Sequence, residues 1–520
     1  MGRKEETVYG TNPSSSHSVA NSADSESVDY IGVPHYHEKH YGNPQGISWV
    51  ICSFLIVGEL AGGGLVALPN SMVDAGLTAG IILTVVSALA SIYTGIQLGE
   101  NWLMMQDRWP EYRQFCRKPY PEMGYRAIGE AGRICVSVLV AVQQFGMAVV
   151  FLLLSSRNIS SLIYAFFDIN ANFCIIIVIV AVALLPFLML GSPKDFWQAA
   201  VIAALSTTTA VVLIFIATSL DAPTCKPEAY YGSIQMRKFF LAYGTITFAY
   251  GGHSCFPTFQ HDMKKPYEFK KSVVLGYILV ILLYLPVAIF GYIVYGDSVG
   301  TSIIESLQTQ WAQQAANILI TIHVTFTQII IISPLTLELE EQCHIPNRFS
   351  MSRFILRSVL LLSIVFVALS VPKFGVILDL IGGTTATLTS MILPGVFYMF
   401  IRAAREKSGK KVSTSKVRED SRDAEMASIT DVFRYIPKWV LAINLAVIAF
   451  GLVGGIASTV SAVNELIVTS FDVPCYIQVF SGFSPNEGGK VNCCGEYKNI
   501  TTGDQGYNDF CVIPNATDIL

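Results

Sequence analysis

Gly58-Glu59-Leu60-Ala61-Gly62-Gly63-Gly64 interrupts an apolar run that begins near Ile47 and resumes as Leu65-Val66-Ala67-Leu68-Pro69. Four glycines and a carboxylate are poor material for a lipid-facing helix. Each glycine costs about 1 kcal/mol of helix stability relative to alanine. A carboxylate at membrane depth is costlier unless it faces protein or water. A helix broken inside the bilayer also frees backbone N–H and C=O groups, which survive there only where they line a cavity or are buried in protein. A ligand or ion can satisfy them, so this stretch predicts a solute-binding site.

The rest of the chain fits that reading. Mean hydropathy is +0.50, charged residues make up 14% and hydrophobic residues 52% of 520 positions. These values exclude an ordinary soluble enzyme and leave room for about ten spans of about 20 residues. The net charge of −4 gives no basic field for nucleic acid. Residues 1–46 are serine-rich and weakly apolar, and are expected to form a disordered cytoplasmic tail without a cleavable signal peptide.

Eleven apolar segments follow, predicting an all-α polytopic membrane protein with a transmembrane domain over 47–463. They run near 47–74, 77–103, 133–156, 173–191, 199–220, 238–260, 272–295, 313–337, 354–371, 375–401 and 438–463. With the N-terminus in the cytoplasm, only Arg157, Lys226, Arg237, Lys238, Lys373, Lys490 and Lys498 of the 34 Lys and Arg fall outside. Basic residues concentrate on the cytoplasmic side of membrane proteins, so this orientation is expected. The glycosylation sequons at Asn158, Asn499 and Asn515 then lie outside, with Asn158 close to the membrane. So does a C-terminal tail, 464–520, carrying Cys475, Cys493, Cys494 and Cys511. Four cysteines in an exoplasmic segment predict disulfides with three possible pairings. Cys225 could join one of them or Cys174, also in an outer loop.

The sixth segment carries a second interruption, Phe248-Ala249-Tyr250-Gly251-Gly252-His253-Ser254-Cys255-Phe256-Pro257. Segments 1 and 6 enter the bilayer from opposite sides. A repeat of segments 1–5 by 6–10 would therefore be inverted, with segment 11 outside it. Paired interrupted helices at corresponding places in inverted halves point to a midplane transport site. The helix beginning near Gly63 and Gly64 offers N–H groups and a positive dipole end to a carboxylate. Carbonyls before Ala61 and Gly62, and around Tyr250, Gly251 and Gly252, suit an ammonium group. The two halves together suit an amino acid; either half alone suits a simple amine or acid.

These residues resemble the amino acid/auxin permease family over about 47–462. The closest likeness is Phe248 to Asp297, with its G-H-x-x-F-P core, M-K-K-P-x-x-F loop and closing G-Y-x-x-Y-G-D. Gly62, Gly64, Leu68 and Pro69 fit the family's first-helix pattern, and F-G-M-A-V-V-F, S-P-L-T-L-E-L-E-E and D-L-I-G-G match further on. The resemblance implies the leucine-transporter fold, a 5+5 inverted repeat plus one extra helix, and ion-coupled transport of amino acids or related solutes. It leaves the substrate open.

Other residues carry alternatives. Glu59 binds a proton or cation, pairs with a buried histidine, or sits in a hydrated vestibule. His253 carries a coupling proton or braces the broken helix. His323 is another proton carrier at membrane depth, and Thr325 and Thr327 beside it either join segment 1 carbonyls around sodium or bond their own helix. Asp379 and Glu338 are gating candidates or hydrated caps. Thr384 faces a Gly-Gly break, and of the pair Gln143 and Gln144 one is expected to meet the substrate. There is no metal site, catalytic triad or phosphate loop and no expected cofactor beyond a co-transported H+ or Na+. The resulting expectation is a symporter of small neutral amino acids, with proton favoured over sodium. The alternative is an amino-acid sensor with little transport. Membrane lipid is the other expected partner. Plasma membrane is favoured over an endolysosomal or vesicular one. Nothing in the sequence fixes an oligomeric state.

Overall fold

In the computed structural model, the first apolar segment is two helices. α1 (Trp49–Leu60) stops at Ala61 and Gly62, and α2 (Gly63–Ala75) continues at 54° to it. Ser48 caps α1, its Oγ accepting from Ile51 N–H. Gly62 opens α2 with no side chain to cap it, so the bend follows directly from the glycine run.

The structure describes residues 46–113, 118–169, 171–189, 197–346, 350–414, 426–468 and 474–477, with isolated positions 42, 44 and 116. The other long helices are α3 (Leu77–Arg108), α5 (Glu130–Phe167), α7 (Trp197–Cys225), α10 (Phe269–Tyr295), α12 (Gln310–Gln342), α13 (Met351–Ser370), α15 (Leu393–Thr414) and α17 (Lys438–Val468). The shorter ones are α4 (Pro119–Ile128), α6 (Phe173–Leu188), α8 (Met236–Ala249), α9 (Phe256–His261), α11 (Ile303–Ser306), α14 (Phe374–Ile381) and α16 (Ile429–Tyr435). Two π-helical turns, Gly382–Ala386 and Leu388–Ile392, join α14 to α15. Gly76 (φ 75°) and Gly129 (φ 89°) take left-handed turns that join α2 to α3 and α4 to α5 through single residues.

Among the described residues there is no strand, and eight helices are long and apolar enough to cross a membrane. The bent α1–α2 pair makes nine if counted as one span. The described residues thus form an all-helical, multi-pass membrane protein. Of the eleven expected segments, the fourth is the 16-residue α6 and the sixth is split between α8 (14 residues) and α9 (6 residues). Each is shorter than a span of about 20 residues. The interspan helices α4, α11 and α16 lay outside the expectation, because they are too short or too polar to register as apolar segments.

The interior is made by the helices nearest the two breaks. α2 crosses α8, α1 and α2 rest on α10, and α12 lies along α7 and α5. α17 is applied to α8 and α14 from outside. Just before α1, Ile47 N–H donates to Asp262 O (3.0 Å) and Lys264 N–H donates to Ile47 O (2.7 Å). This short parallel bridge ties the start of α1 to the end of α9.

Cys475 is bonded to Cys174 at the start of α6, and Cys225 is also disulfide-bonded. The alternative pairing of Cys225 with Cys174 is therefore excluded. Cys493, Cys494, Cys511, Asn499 and Asn515 lie outside the described residues, as does the expected disordered tail up to residue 41. Asn158 lies inside α5, is 5% exposed, and encloses its amide nitrogen.

A Cβ on Gly64 would stand 2.5 Å from Ala249 Cα, in backbone rather than a flexible side chain. Gly64→Ala is expected to overpack the α2–α8 contact and to destabilise the protein by about 1–3 kcal/mol, read as a lower thermal midpoint in detergent.

Candidate functional site

The two breaks lie against each other. At the first, Ala61 N–H donates to Val57 O (2.8 Å) and Gly62 N–H to Leu60 O (2.8 Å), closing α1 tightly. As the first residues of α2, Gly63 and Gly64 carry N–H groups that no carbonyl of their own helix can reach. At the second, α8 ends at Ala249, and a single turn, Gly252–Ser254, precedes α9. A Cβ on Gly252 would meet Leu60 Cδ2 at 2.9 Å and Glu59 Cγ at 3.1 Å. Glycine is what lets the second break approach the first.

Side chains from the surrounding helices occupy the freed carbonyls. The Tyr284 hydroxyl, on α10, donates toward both Leu60 O (2.5 Å) and Ala249 O (3.0 Å). One phenol has one hydrogen, so this group is shared between the two broken helices. One turn-pair earlier on α10, Tyr277 donates to Tyr250 O (3.0 Å). Gln143 Nε2 donates to Gly251 O (2.8 Å), while its Oε1 accepts from Thr389 (2.6 Å) in the π-helical segment. Thr327 donates to Gly58 O (3.4 Å). The rings of Tyr250, Tyr277 and Tyr284 pack together, with centroids 6.1 and 5.3 Å from Tyr250. The Tyr250 hydroxyl is buried and has no hydrogen-bond partner among the described residues.

Glu59 is 4% exposed, and its carboxylate accepts from Cys255 Sγ (3.3 Å) at the foot of the second break. It therefore links the two interruptions through a thiol, not through either buried histidine. His253 Nε2 lies 3.0 Å from Ser91 O and 3.1 Å from Thr94 Oγ1, both on α3. A carbonyl can only accept, so Nε2 bears the hydrogen. The ring stacks on Phe256 (4.7 Å). His323 lies on the opposite side of α1. Its Nδ1 faces Ala203 O (3.0 Å) on α7 and its Nε2 faces Thr327 Oγ1 (3.3 Å). A Cβ on Gly62 would stand 2.7 Å from His323 Nε2, and Phe151 on α5 covers Gly62 and Gly63.

The remaining candidates stand at varying distance from this centre. Thr325 bonds Thr321 O (2.7 Å) and Thr384 bonds Leu380 O, each within its own helix. Among the described residues Gln144 makes no hydrogen bond to either break; its neighbour Gln143 does. Asp379 accepts from Thr245, tying α14 to α8. Glu338, at the far end of α12, pairs with Lys118 at 3.7 Å beside Glu341 (3.8 Å). The residues that sequence reasoning passed over are Tyr277 and Tyr284, Phe151, and Ser91 and Thr94. The tyrosines carried a signal: they lie seven positions apart in an aliphatic run, hence on one face, and a buried hydroxyl needs an acceptor.

Comparison with known proteins agrees with this architecture. The chain is 25% identical to amino acid transporter AVT1J of Arabidopsis thaliana, over 71% of this chain and 86% of that one. It is 27% identical to lysine histidine transporter-like 1 of the same plant, over 68% and 80%. Amino acid transporter AVT1B matches at 25% identity, and there the match spans 66% of this chain and 63% of the relative. Among solved structures, MhsT in complex with L-phenylalanine superposes with a TM-score of 0.52 at 12% identity, over 81% of this chain and 100% of that one. Mhp1, a nucleobase-cation-symport-1 family transporter in a closed conformation, gives 0.50 at 10% identity, over 85% and 98%. These two share the fold.

Tyr284→Phe keeps the ring and removes the shared hydrogen. It is expected to leave Ala249 O without its side-chain donor and Leu60 O with the Gly62 N–H alone, at a cost of about 1–3 kcal/mol. Thermal unfolding of the purified protein measures this, with the exposed Tyr231→Phe as control. The model of the family described as transmembrane amino acid transporter protein matches residues 45–421, and the chain belongs to that family, whose members are transporters and not enzymes.

Proposed function

We propose that the protein is an ion-coupled secondary active transporter of small neutral amino acids. The observation that carries the reading is the meeting of two interrupted helices, with Gly64 against Ala249 and Tyr284 bridging Leu60 O to Ala249 O. The substrate carboxylate takes the N–H groups of Gly63 and Gly64, where the α2 dipole is positive. The ammonium group takes carbonyls at the ends of α1 and α8, displacing a tyrosine hydroxyl from one of them. The close packing of Phe151 over Gly62 and Gly63 favours a small side chain.

The finer architecture belongs to the same reading. Eleven crossings arise if α6 and the α8–α9 pair each count as one, and helices α1–α7 and α8–α15 then form the two inverted halves. The positive-inside pattern of the basic residues supports a cytoplasmic N-terminus. The Cys174–Cys475 bond supports an outer position for the segment after α17, since disulfides persist in oxidising compartments. The tail sequons at Asn499 and Asn515 fit that side, and the plasma membrane is the favoured location.

A proton is the favoured coupling ion. Glu59, His253 and His323 are titratable groups at membrane depth around the breaks. Sodium would have to use Thr327 and Gly58 O, which lie with His323 in one small space. In proteoliposomes given pooled labelled L-amino acids, an inward pH gradient is expected to drive accumulation that a sodium gradient alone does not. Glu59→Gln is expected to abolish the pH-driven component; a variant that keeps it in full removes Glu59 from coupling. Substrate-induced thermal stabilisation without any flux would make the protein a sensor instead.

A further inference from the structure

α3 carries a polar face along most of its length. Thr84, Ser87, Ser91, Thr94, Gln97 and Asn101 recur every three or four residues, so they lie on one side of the helix, and all are at most 3% exposed. A lipid-depth helix does not carry such a face without partners. Some are present: Thr84 and Thr94 bond carbonyls of their own helix. Others are not. Both amide atoms of Gln97, the Oδ1 of Asn101 and the Oγ of Ser87 are buried without a hydrogen-bond partner among the described residues.

The orphaned amides converge. Asn101 Nδ2 donates to Pro394 O (3.3 Å) at the start of α15. A Cβ on the next residue, Gly395, would stand 2.6 Å from Asn444 Oδ1 on α17 and 3.5 Å from Gln97 Oε1. Asn444 Oδ1 is itself buried without a recorded partner. Three amides from α3 and α17 thus meet on one backbone site of α15. Thr94 lies one turn above Gln97 and touches His253 Nε2. Asn444 Nδ2 also donates to the Oη of Tyr93, the neighbour of Thr94 in α3 (3.0 Å), and Glu100 and Arg402 lie within electrostatic reach of Tyr93.

We propose that Thr94, Gln97, Asn101 and Asn444 hold a file of water molecules that carries protons between His253 and the end of α3 bearing Glu100 and Arg402. The proposal rests on the proton-coupled reading above. Buried polar atoms left over by the protein are ordinarily met by ordered water, each making two to four bonds, and amides offer both donors and acceptors to it. From Thr94 to Asn101 the helix rises only about 10 Å, a distance three or four waters cover. His253 is built to pass a proton into this file. Its Nε2–H points at α3, and its Nδ1 is buried with no recorded partner. A proton arriving at Nδ1 makes the imidazolium, and the Nε2 proton leaves to a water at Thr94; the neutral ring then carries its hydrogen on Nδ1, and a ring flip or water-relayed transfer from Nδ1 to Nε2 restores the Nε2–H that Ser91 O accepts. One proton enters, one leaves, and no electron moves.

The titratable and charged groups around the path are His253, Cys255 and His261 from the second broken segment, Glu59 on α1, Tyr277 on α10, Tyr93 and Glu100 on α3, and Tyr398 and Arg402 on α15. His261 packs edge-on against Trp102 of α3. In the proposed orientation the Glu100 end is cytoplasmic. The file therefore gives protons a route to that side that is separate from the substrate's.

The test uses the full chain in proteoliposomes, with a trapped pH dye and pooled labelled L-amino acids. Gln97→Met with Asn101→Leu replaces the amides by apolar groups of similar size. pH-driven uptake and the accompanying dye signal are expected to fall about tenfold or more. Exchange of labelled for unlabelled amino acids at equal pH, which needs no net proton movement, is expected to stay within about twofold. If the double variant does not fold, Gln97→Met alone takes its place with the same two readouts. Equal loss of uptake and exchange marks a structural role and overturns the proposal. So does unchanged pH-driven uptake. A wild type indifferent to the pH gradient overturns the proton coupling itself, and the file with it; a wild type that follows the gradient beside a variant that follows it equally overturns the file alone.

Discussion

One phenolic hydrogen sets the arrangement at the centre of this protein. The Tyr284 hydroxyl stands between Leu60 O and Ala249 O, the last carbonyls of two helices that stop in the middle of the bundle. In a low-dielectric interior each freed carbonyl would cost roughly 1–3 kcal/mol without a donor. The surrounding helices answer that cost one group at a time: Tyr277 for Tyr250, Gln143 for Gly251 and Thr327 for Gly58. Tyr284 has one hydrogen for two acceptors, and Leu60 O also takes the Gly62 N–H, so Ala249 O is the carbonyl whose donor is shared. A ligand bearing N–H groups has a place to act there, at little cost to the scaffold.

The glycines serve the same constraint from the other side. Gly64 and Gly252 are not flexible spacers but points of contact, where a methyl group would strike Ala249, Leu60 or Glu59. They bring two backbones close enough for one side chain to serve both. Glu59, which accepts from Cys255 across the same gap, is the carboxyl counterpart of that contact.

Much of this was legible in the sequence. Glycine runs, a carboxylate and a proline inside apolar segments marked both breaks, because each of those residues is expensive in a lipid-facing helix. The positions of Gly62 to Gly64 and Tyr250 to His253 in the structure follow from that logic. What the sequence left hidden was the set of partners. A tyrosine in an aliphatic run reads equally well as a lipid-interface residue or a buried donor, and only the crossing of α10 over both breaks decides for Tyr277 and Tyr284. The choice between Gln143 and Gln144 turns on about 100° of helix rotation, which a single hydrophobic segment does not define. Asn158 matched its sequon perfectly and is enclosed in α5, since a three-residue pattern carries no information on where a helix ends.

The parallel bridge between Ile47 and Met263 has a mechanical meaning. It fastens the far end of α1 to the far end of α9 by two peptide hydrogen bonds, and the near ends of both are held at the breaks by Tyr284 and by Glu59 with Cys255. Two levers joined at their tips and pivoted at neighbouring points form a closed linkage, in which neither arm turns alone. The two half-helices are thus fastened to each other at both ends, and a displacement of α1 pulls on α9 through both fastenings.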